Sequence, residues 1–405
     1  DARSADVSRP TFPVRQCAWI HPQLQQRRRD CTIMCAMKQQ ADPLRPVLDA
    51  LLRSPHEFGP DLPAEPMSAL LASATAEGVA ALVAERIEAL PVAPPLREFW
   101  RTVRLHAVAE ELSRQAVERR IIAALHEAGL RPLVLKGAAL ARWLYPQPHL
   151  RARGDLDLLF ADHAEVLRAE TALRASGFAW DGQLSNGPGV ERVLVGTDIG
   201  RTRHVDAHWH LTSHPAFAKT WSFAELRDQA FPLSELDGAL ALSPLHALLH
   251  NAVHRVGDLL KGSADRLIAL HDLHLLTARM TDDDWLRLVR MAVERRVAGP
   301  TWHALLASQR HLHSHVPAES LTALASAAAS EPFRMVWAGR RWYFEWHALL
   351  SMPMLKRPTH LLRKLLPDPD YMMQRYALAN RRRLLGAYVR RCADGLHFFW
   401  PGSRR

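Results

Sequence analysis

One segment, residues 131–212, interrupts a chain whose hydrophobic pattern is otherwise helical, and this interruption limits the fold more than any other feature. Leu133-Val134-Leu135 is a short apolar run closed by Lys136-Gly137, as expected of a buried strand. Ala138 to Tyr145 reads as a short helix stopped by Pro146 and Pro148. Asp155 to Phe160 reads as a second strand, and Asp162 with Glu165 makes a capping-box-like start for a helix that carries Val166, Leu167 and Leu173 and ends at Gly177. Further strands are expected at Phe178 to Trp180, Val193 to Val195 and His204 to Leu211, with a Gly/Asn/Pro loop over 181–190.

The flanks read as helices. Leu48, Leu51 and Leu52 form one stripe, and Met67 to Leu90 is Ala-rich. The clearest helix spans Glu98 to Ala128, with Val108, Leu112, Val117, Ile121 and Leu125 on one face and Gly129 at the stop. After Leu240, Ser243-Pro244 opens a helix that runs through Leu260. Further helices follow over Leu267 to Met280, Trp285 to Val297, Trp302 to His311 and Tyr371 to Cys392. The expected class is α+β: an extension over 1–36, a helical region over 37–128, an α/β core over 129–240 and a helical domain over 241–405.

Composition removes some functions. No window of about 18 residues is apolar without charge, so no membrane span is expected; the apolar run Ala348 to Leu355 is short and is closed by Lys356-Arg357. The net charge of +10 is compatible with nucleic acid, an anionic surface or phosphate-bearing substrates. Arginine is spread along the chain, and the denser runs Arg27 to Arg29 and Arg381 to Arg383 also suit a solvated face. Cys17, Cys31 and Cys35 cluster near the start and Cys392 stands alone, which suits a reducing cytoplasm and lacks zinc spacing. The first 36 residues show no periodicity and read as a disordered extension, upstream of a natural start near Met37.

Three pieces carry chemistry. On a strand, Asp155 and Asp157 point the same way and Leu156 and Leu158 the other. Two such carboxylates repel unless a cation sits between them, and magnesium favours that ligand type; an exposed strand edge is the alternative. His204, Asp206, His208 and His210 also alternate onto one face. A third carboxylate there suits two-metal phosphoryl transfer, whereas the histidines leave zinc or a hydrogen-bonded wall open. Lys136-Gly137 stands at a strand-to-helix junction, where backbone N–H groups suit a triphosphate and Lys136 could contact phosphate; a glycine turn with a solvated lysine fits equally. His246, His250 and His254 recur every four residues and either line a cleft or pack in the bundle, since no glutamate follows the first to complete a zinc motif.

At these residues the chain resembles an uncharacterised bacterial nucleotidyltransferase family of the polymerase-β-type superfamily. The resemblance rests on Val134-Leu-Lys-Gly-Ala-Ala-Leu-Ala-Arg142, Tyr145-Pro146, Arg151-x-x-Gly-Asp155-Leu-Asp157-Leu-Leu159 and Val205-Asp-x-His-Trp209. It extends more loosely to His250, His254, Asp272, His315-Val-Pro317, Leu366-Pro-Asp-Pro-Asp-Tyr371 and Arg375-Tyr376. It implies a small mixed sheet and metal-dependent transfer of a nucleoside monophosphate from an NTP to an acceptor. In that frame Asp155, Asp157 and Asp206 bind two Mg2+ ions, or Mn2+, and Gly137 is the phosphate-loop glycine. Arg151 matches an arginine that binds phosphate or pairs with an acid. The departure is Lys136-Gly137-Ala138, where the wider superfamily has Gly-Ser, so the loop lacks a hydroxyl. A working enzyme, a degenerate nucleotide-binding or regulatory module, and a nucleic-acid-directed transferase are the readings this leaves.

Overall fold

The computed structural model describes residues 42–53, 67–181, 191–212, 217–218, 220–236, 238–261 and 263–331, and part of 346–399. The expected extension over 1–36, the loop residues 182–190, and Tyr371 and Arg375 lie outside the described residues.

The N-terminal helices are α1 (Arg45–Arg53), α2 (Met67–Ala76), α3 (Ala80–Glu88) and the long α4 (Pro94–Glu127). The core then runs β1 (Leu133–Val134), α5 (Lys136–Trp143), β2 (Leu156–Leu159), α6 (His163–Arg174), β3 (Ala179–Trp180), β4 (Glu191–Asp198) and β5 (Arg201–His208). After α7 (Phe223–Asp228), β6 (Phe231–Pro232) and β7 (Leu240–Ala241) complete the sheet. The helical domain carries α8 (Pro244–Lys261), α9 (Leu267–Thr277), α10 (Asp282–Glu294), α11 (Ala298–Leu312) and α12 (Ala318–Ala328). Two further helices, α13 (Arg357–Leu365) and α14 (Leu384–Phe399), follow. No helix among the described residues is long and apolar enough to cross a membrane.

The fold is α+β, with a mixed sheet in the order β3-β4-β5-β2-β1-β7-β6. β2 pairs parallel with β5, β1 pairs antiparallel with β2 and parallel with β7, and the outer pairs are antiparallel. β4 and β5 form a hairpin through Ile199 (φ 47°) and Gly200 (φ 70°), two left-handed residues whose twist suits a two-residue turn.

Local chemistry explains the boundaries. Asp162 accepts from the Glu165 N–H and caps α6, while the Glu165 carboxylate takes the Ala161 N–H instead of the cap's own. Gly129 (φ 71°) ends α4, and Leu130 N–H reaches back to the Leu125 carbonyl at 2.9 Å.

The two sheet faces see different surroundings. Leu156, Leu158, Val205 and Ala207 pack with Val117, Ile121 and Leu125 of α4 and Val166, Ala169 and Leu173 of α6. Leu133, Leu135 and Leu159 join the larger core with Leu248, Ala252 and Val253 of α8. Strand parity therefore turns Asp157 and Asp206 towards the helical domain. The expected stripe on α4 needs one correction: Leu112 is 62% exposed, and the inward positions are Glu111 and Glu118. The reason is a buried ionic network. Arg153 binds both acids, with Nη2 3.0 Å from Glu111 Oε1 and from Glu118 Oε2, and Arg142 also holds Glu118. A leucine at the inward position would strand those guanidinium groups.

Candidate active site

The parallel pairing of β2 with β5 sets Asp157 directly opposite Asp206. One residue after β1, the Leu135 N–H continues the ladder to the Asp157 carbonyl at 2.9 Å. Lys136 then turns left-handed (φ 48°), a conformation that costs a non-glycine residue about 1–2 kcal/mol. The turn starts α5 and carries Lys136 Nζ to 2.6 Å from Asp157 Oδ1. His208, at the end of β5, brings Nε2 to 3.0 Å from the same oxygen. Its Nδ1 lies 3.3 Å from Glu191 Oε2, within ion-pair range but outside hydrogen-bond geometry.

The electrostatics are unbalanced. Burial alone would raise the Asp157 carboxyl, but the Lys136 ammonium and the His208 hydrogen bond outweigh it and hold Asp157 well below the usual carboxylate range. Asp206 receives less compensation. Burial first, then Asp157 and Asp155, push it up to about 7, against the smaller pulls of His208 and Lys136. Asp155 precedes β2 at the cleft lip, exposed, and is raised by partial burial and by Asp157. Lys136 stays firmly charged because Asp157 and Asp206 outweigh its desolvation.

Asp157, Asp206 and His208 each offer a ligand atom, all within 4.8 Å of one another. Two carboxylate oxygens and one imidazole nitrogen, with Asp206 short of positive charge, fit a divalent cation. The tight group thus contains Asp157 and Asp206 of the expected carboxylates, adds His208, and leaves Asp155 at the lip.

These residues line a cleft of about 630 Å³ between the sheet and α8. Gly137 lines it from the first turn of α5, which no side chain caps. A Cβ at Gly137 would lie 3.0 Å from Arg153 Cβ and 3.2 Å from Arg151 Nη1, so the glycine admits the 151–153 segment against α5. Arg151 takes the acid-pairing option. Its Nε and Nη2 grip Asp272 of α9 at 2.8 and 2.7 Å, leaving Nη1 towards Gly137 and the Ala152 carbonyl. Tyr145 Oη donates to Asp272 Oδ1 at 2.7 Å and contacts His271 Nδ1 at 3.1 Å.

The three histidines of α8 separate. His250 and His254 line the cleft, His254 beside Asp258 at 3.3 Å. His246 does not; it packs at 6.5 Å from Trp221, with Nδ1 2.9 Å from Ser243 Oγ. His250 is buried and pushed down to about 3, by burial first and then by Lys136. Asp272 and Asn251 had no assigned role in the sequence. Asp272 entered only through the looser part of the family resemblance, and the only signal of Asn251 was polar character on a helix that otherwise packs inward.

No curated protein and no solved structure matches the chain. A family model described as an uncharacterised nucleotidyltransferase matches residues 63–313, which spans α2 through α11 and includes every residue of the cleft described above. The chain belongs to that nucleotidyltransferase family.

Proposed function

We propose that the cleft transfers a nucleoside monophosphate from an NTP to an acceptor hydroxyl, with metal dependence. The observation that carries this is the in-register pair Asp157 and Asp206 facing a helix N-terminus and Lys136 across one cleft. The triphosphate lies against the donor side: Lys136 Nζ, the uncapped α5 N–H groups and Arg151 Nη1. Asp157, Asp206 and His208 would hold the divalent cation, which supplies charge neutralisation for the triphosphate and the departing pyrophosphate. Asp155, linked electrostatically to both other acids, is the remaining carboxylate of the set.

The balance of the reaction is simple. The acceptor oxygen bonds to the α-phosphorus, the bond from that phosphorus to the bridging oxygen breaks, and pyrophosphate leaves. Asp206 takes the hydroxyl proton. Lys136 moves its positive charge from Asp157 to the phosphates, because a triphosphate offers it more negative charge than one carboxylate. Incubation with α-labelled NTPs, Mg2+ or Mn2+ and fractionated lysate tests this. Label should move to an acceptor with pyrophosphate release, and Asp157→Ala should abolish both. Wild-type protein that binds NTP and releases no pyrophosphate in any fraction refutes transfer.

That second result would favour a nucleotide-binding or regulatory module. The specific observation behind this alternative is the hydroxyl-free turn Lys136-Gly137-Ala138, with Lys136 already seated on Asp157.

A further inference from the structure

The two walls of the cleft are satisfied unequally. On the sheet side the carboxylates stand beside donors, the Lys136 ammonium 2.6 Å from Asp157 and the uncapped α5 N–H groups. On the α8 side two buried acceptors have no donor. His250 is 2% exposed, and with Nδ1–H given to the Leu211 backbone its Nε2 lone pair has no partner. Asn251 directs Nδ2 at the Ala269 carbonyl and Asp272 Oδ2, each 3.4 Å away. Two acceptors on that side fix the amide orientation, so the buried Oδ1 is the unpartnered end. Both residues line the cleft. A buried acceptor without a donor is unfavourable, so such a pair on a cleft wall points to a ligand that completes it.

The sense of the wall selects the ligand. A phosphate or carboxylate brings only acceptor atoms and would be repelled by an imidazole lone pair and an amide oxygen. The triphosphate therefore stays on the Lys136 side. A nucleobase stands a ribose away from its α-phosphate, whereas His250 lies within reach of the charges of Lys136, Asp157 and His208. What belongs between His250 and the carboxylates is the group that attacks.

We propose that His250 Nε2 and Asn251 Oδ1 form the acceptor-substrate subsite, and that the acceptor is a hydroxyl-bearing molecule giving an O–H to His250 and a second O–H or N–H to Asn251. Naming this ligand as the acceptor rests on the transferase reading above; the hydrogen-bonding sense of the wall does not. His250 holds the attacking hydroxyl in the ground state. During transfer the proton passes to Asp206, the oxygen bonds to the α-phosphorus and pyrophosphate leaves. An acceptor whose reacting end is ringed by phosphates or carboxylates is disfavoured.

The test uses the full chain labelled with 15N-histidine, with His250→Gln identifying the His250 signal. Three additions are compared: glycerol, which donates O–H; 1,3-dioxolane, similar in size but acceptor-only; and Mg2+ with α,β-methylene-ATP. Glycerol should move the Nε2 resonance upfield, as accepting a hydrogen bond does, while dioxolane and the nucleotide analogue leave it in place. The proposal is overturned if glycerol has no effect, if dioxolane matches it, or if the analogue alone produces the upfield shift, which would assign the wall to a nucleobase amine. Failure of the transferase reading shows separately: calorimetry would detect no binding of the analogue, while the glycerol and dioxolane arms still report on the wall.

Discussion

Two buried ionic clusters flank the core helix α5, and they are built in opposite ways. In one, Glu111 and Glu118 of α4 meet Arg142 and Arg153, acid for base, with each carboxylate bonded. Burial lowers the Arg153 guanidinium, but Glu118 and Glu111 more than restore it. In the other, three carboxylates, Asp155, Asp157 and Asp206, gather near Lys136, which is seated on Asp157, and Asp206 is left pushed up to about 7. The first cluster is balanced in charge and fastens α4 to the 151–153 segment. The second gathers more acids than bases, so charge surplus, not burial, separates a site from a strut.

Breaking the two clusters should therefore have unlike results. Asp157→Ala should lower transfer by about a thousandfold or more, the scale seen when charge stabilisation in a transition state is removed. Asp206→Asn should lose activity comparably and yet raise Tm in EDTA above pH 7, because burial penalises the charge it removes. Differential scanning fluorimetry beside the label-transfer assay checks both signs. In the balanced cluster, Glu118→Leu should cost about 3–5 kcal/mol of stability by urea unfolding, since it leaves Arg142 and Arg153 buried without a full complement of acids. Equal destabilisation by Asp206→Asn and Glu118→Leu would erase the distinction.

The two clusters were also unequally legible in the sequence. Period-two alternation is local, so it put Asp157 on one sheet face and Asp206 with His208 on another strand's matching face before any pairing was known. That Asp157 stands opposite Asp206 depends on β2 pairing parallel with β5, a long-range fact that local pattern could not supply; the motif resemblance grouped the three acids but gave no strand pairing. Lys136 on Asp157 needed a left-handed residue that only glycine usually signals. Arg151 found its acid 121 positions away, on a helix where Asp272 reads as one polar residue among leucines. In α4 the apolar count favoured Leu112 inward, because hydrophobic periodicity has no way to register that Arg153 would need Glu111 and Glu118 there.

Lys136 tests whether the unbalanced cluster already contains a substitute for its missing charge. Its ammonium sits on a carboxylate oxygen of Asp157, one of the three residues that would hold a metal ion. Lys136→Met should strengthen binding of Mn2+ alone by about tenfold, the equivalent of 1.4 kcal/mol. The same change should weaken binding of Mn2+ with an NTP analogue, since the phosphates lose a cation. Electron paramagnetic resonance titration of free Mn2+ reads both arms. Weakening in both arms would mean that Lys136 only supports the fold of the turn.

The smallest effect concerns groups that avoid charge altogether. His271 and His303 are pushed down to about 3, chiefly by burial and then by neighbouring cations, His274 and Arg86 for the first and Arg255 for the second. Both stay neutral in the folded chain, whereas an unfolded histidine titrates near 6.5. Unfolding therefore takes up protons below that value: their contribution to stability is intact above pH 6.5 and is lost as pH falls towards 3. Asp206 has the reverse linkage, since its raised carboxyl favours the folded state at low pH and loses that contribution as pH climbs to about 7. His303→Gln keeps an acceptor for Arg255 Nη1, now 2.8 Å from His303 Nδ1, and removes one titrating site. The pH slope of unfolding free energy between 6 and 5 should then flatten by no more than about 1.4 kcal/mol per unit, the limit for one proton. An unchanged slope would mean that His303 is already neutral in the unfolded chain over that range, or protonated in both states, and acid sensitivity would have to be sought in the carboxylates instead.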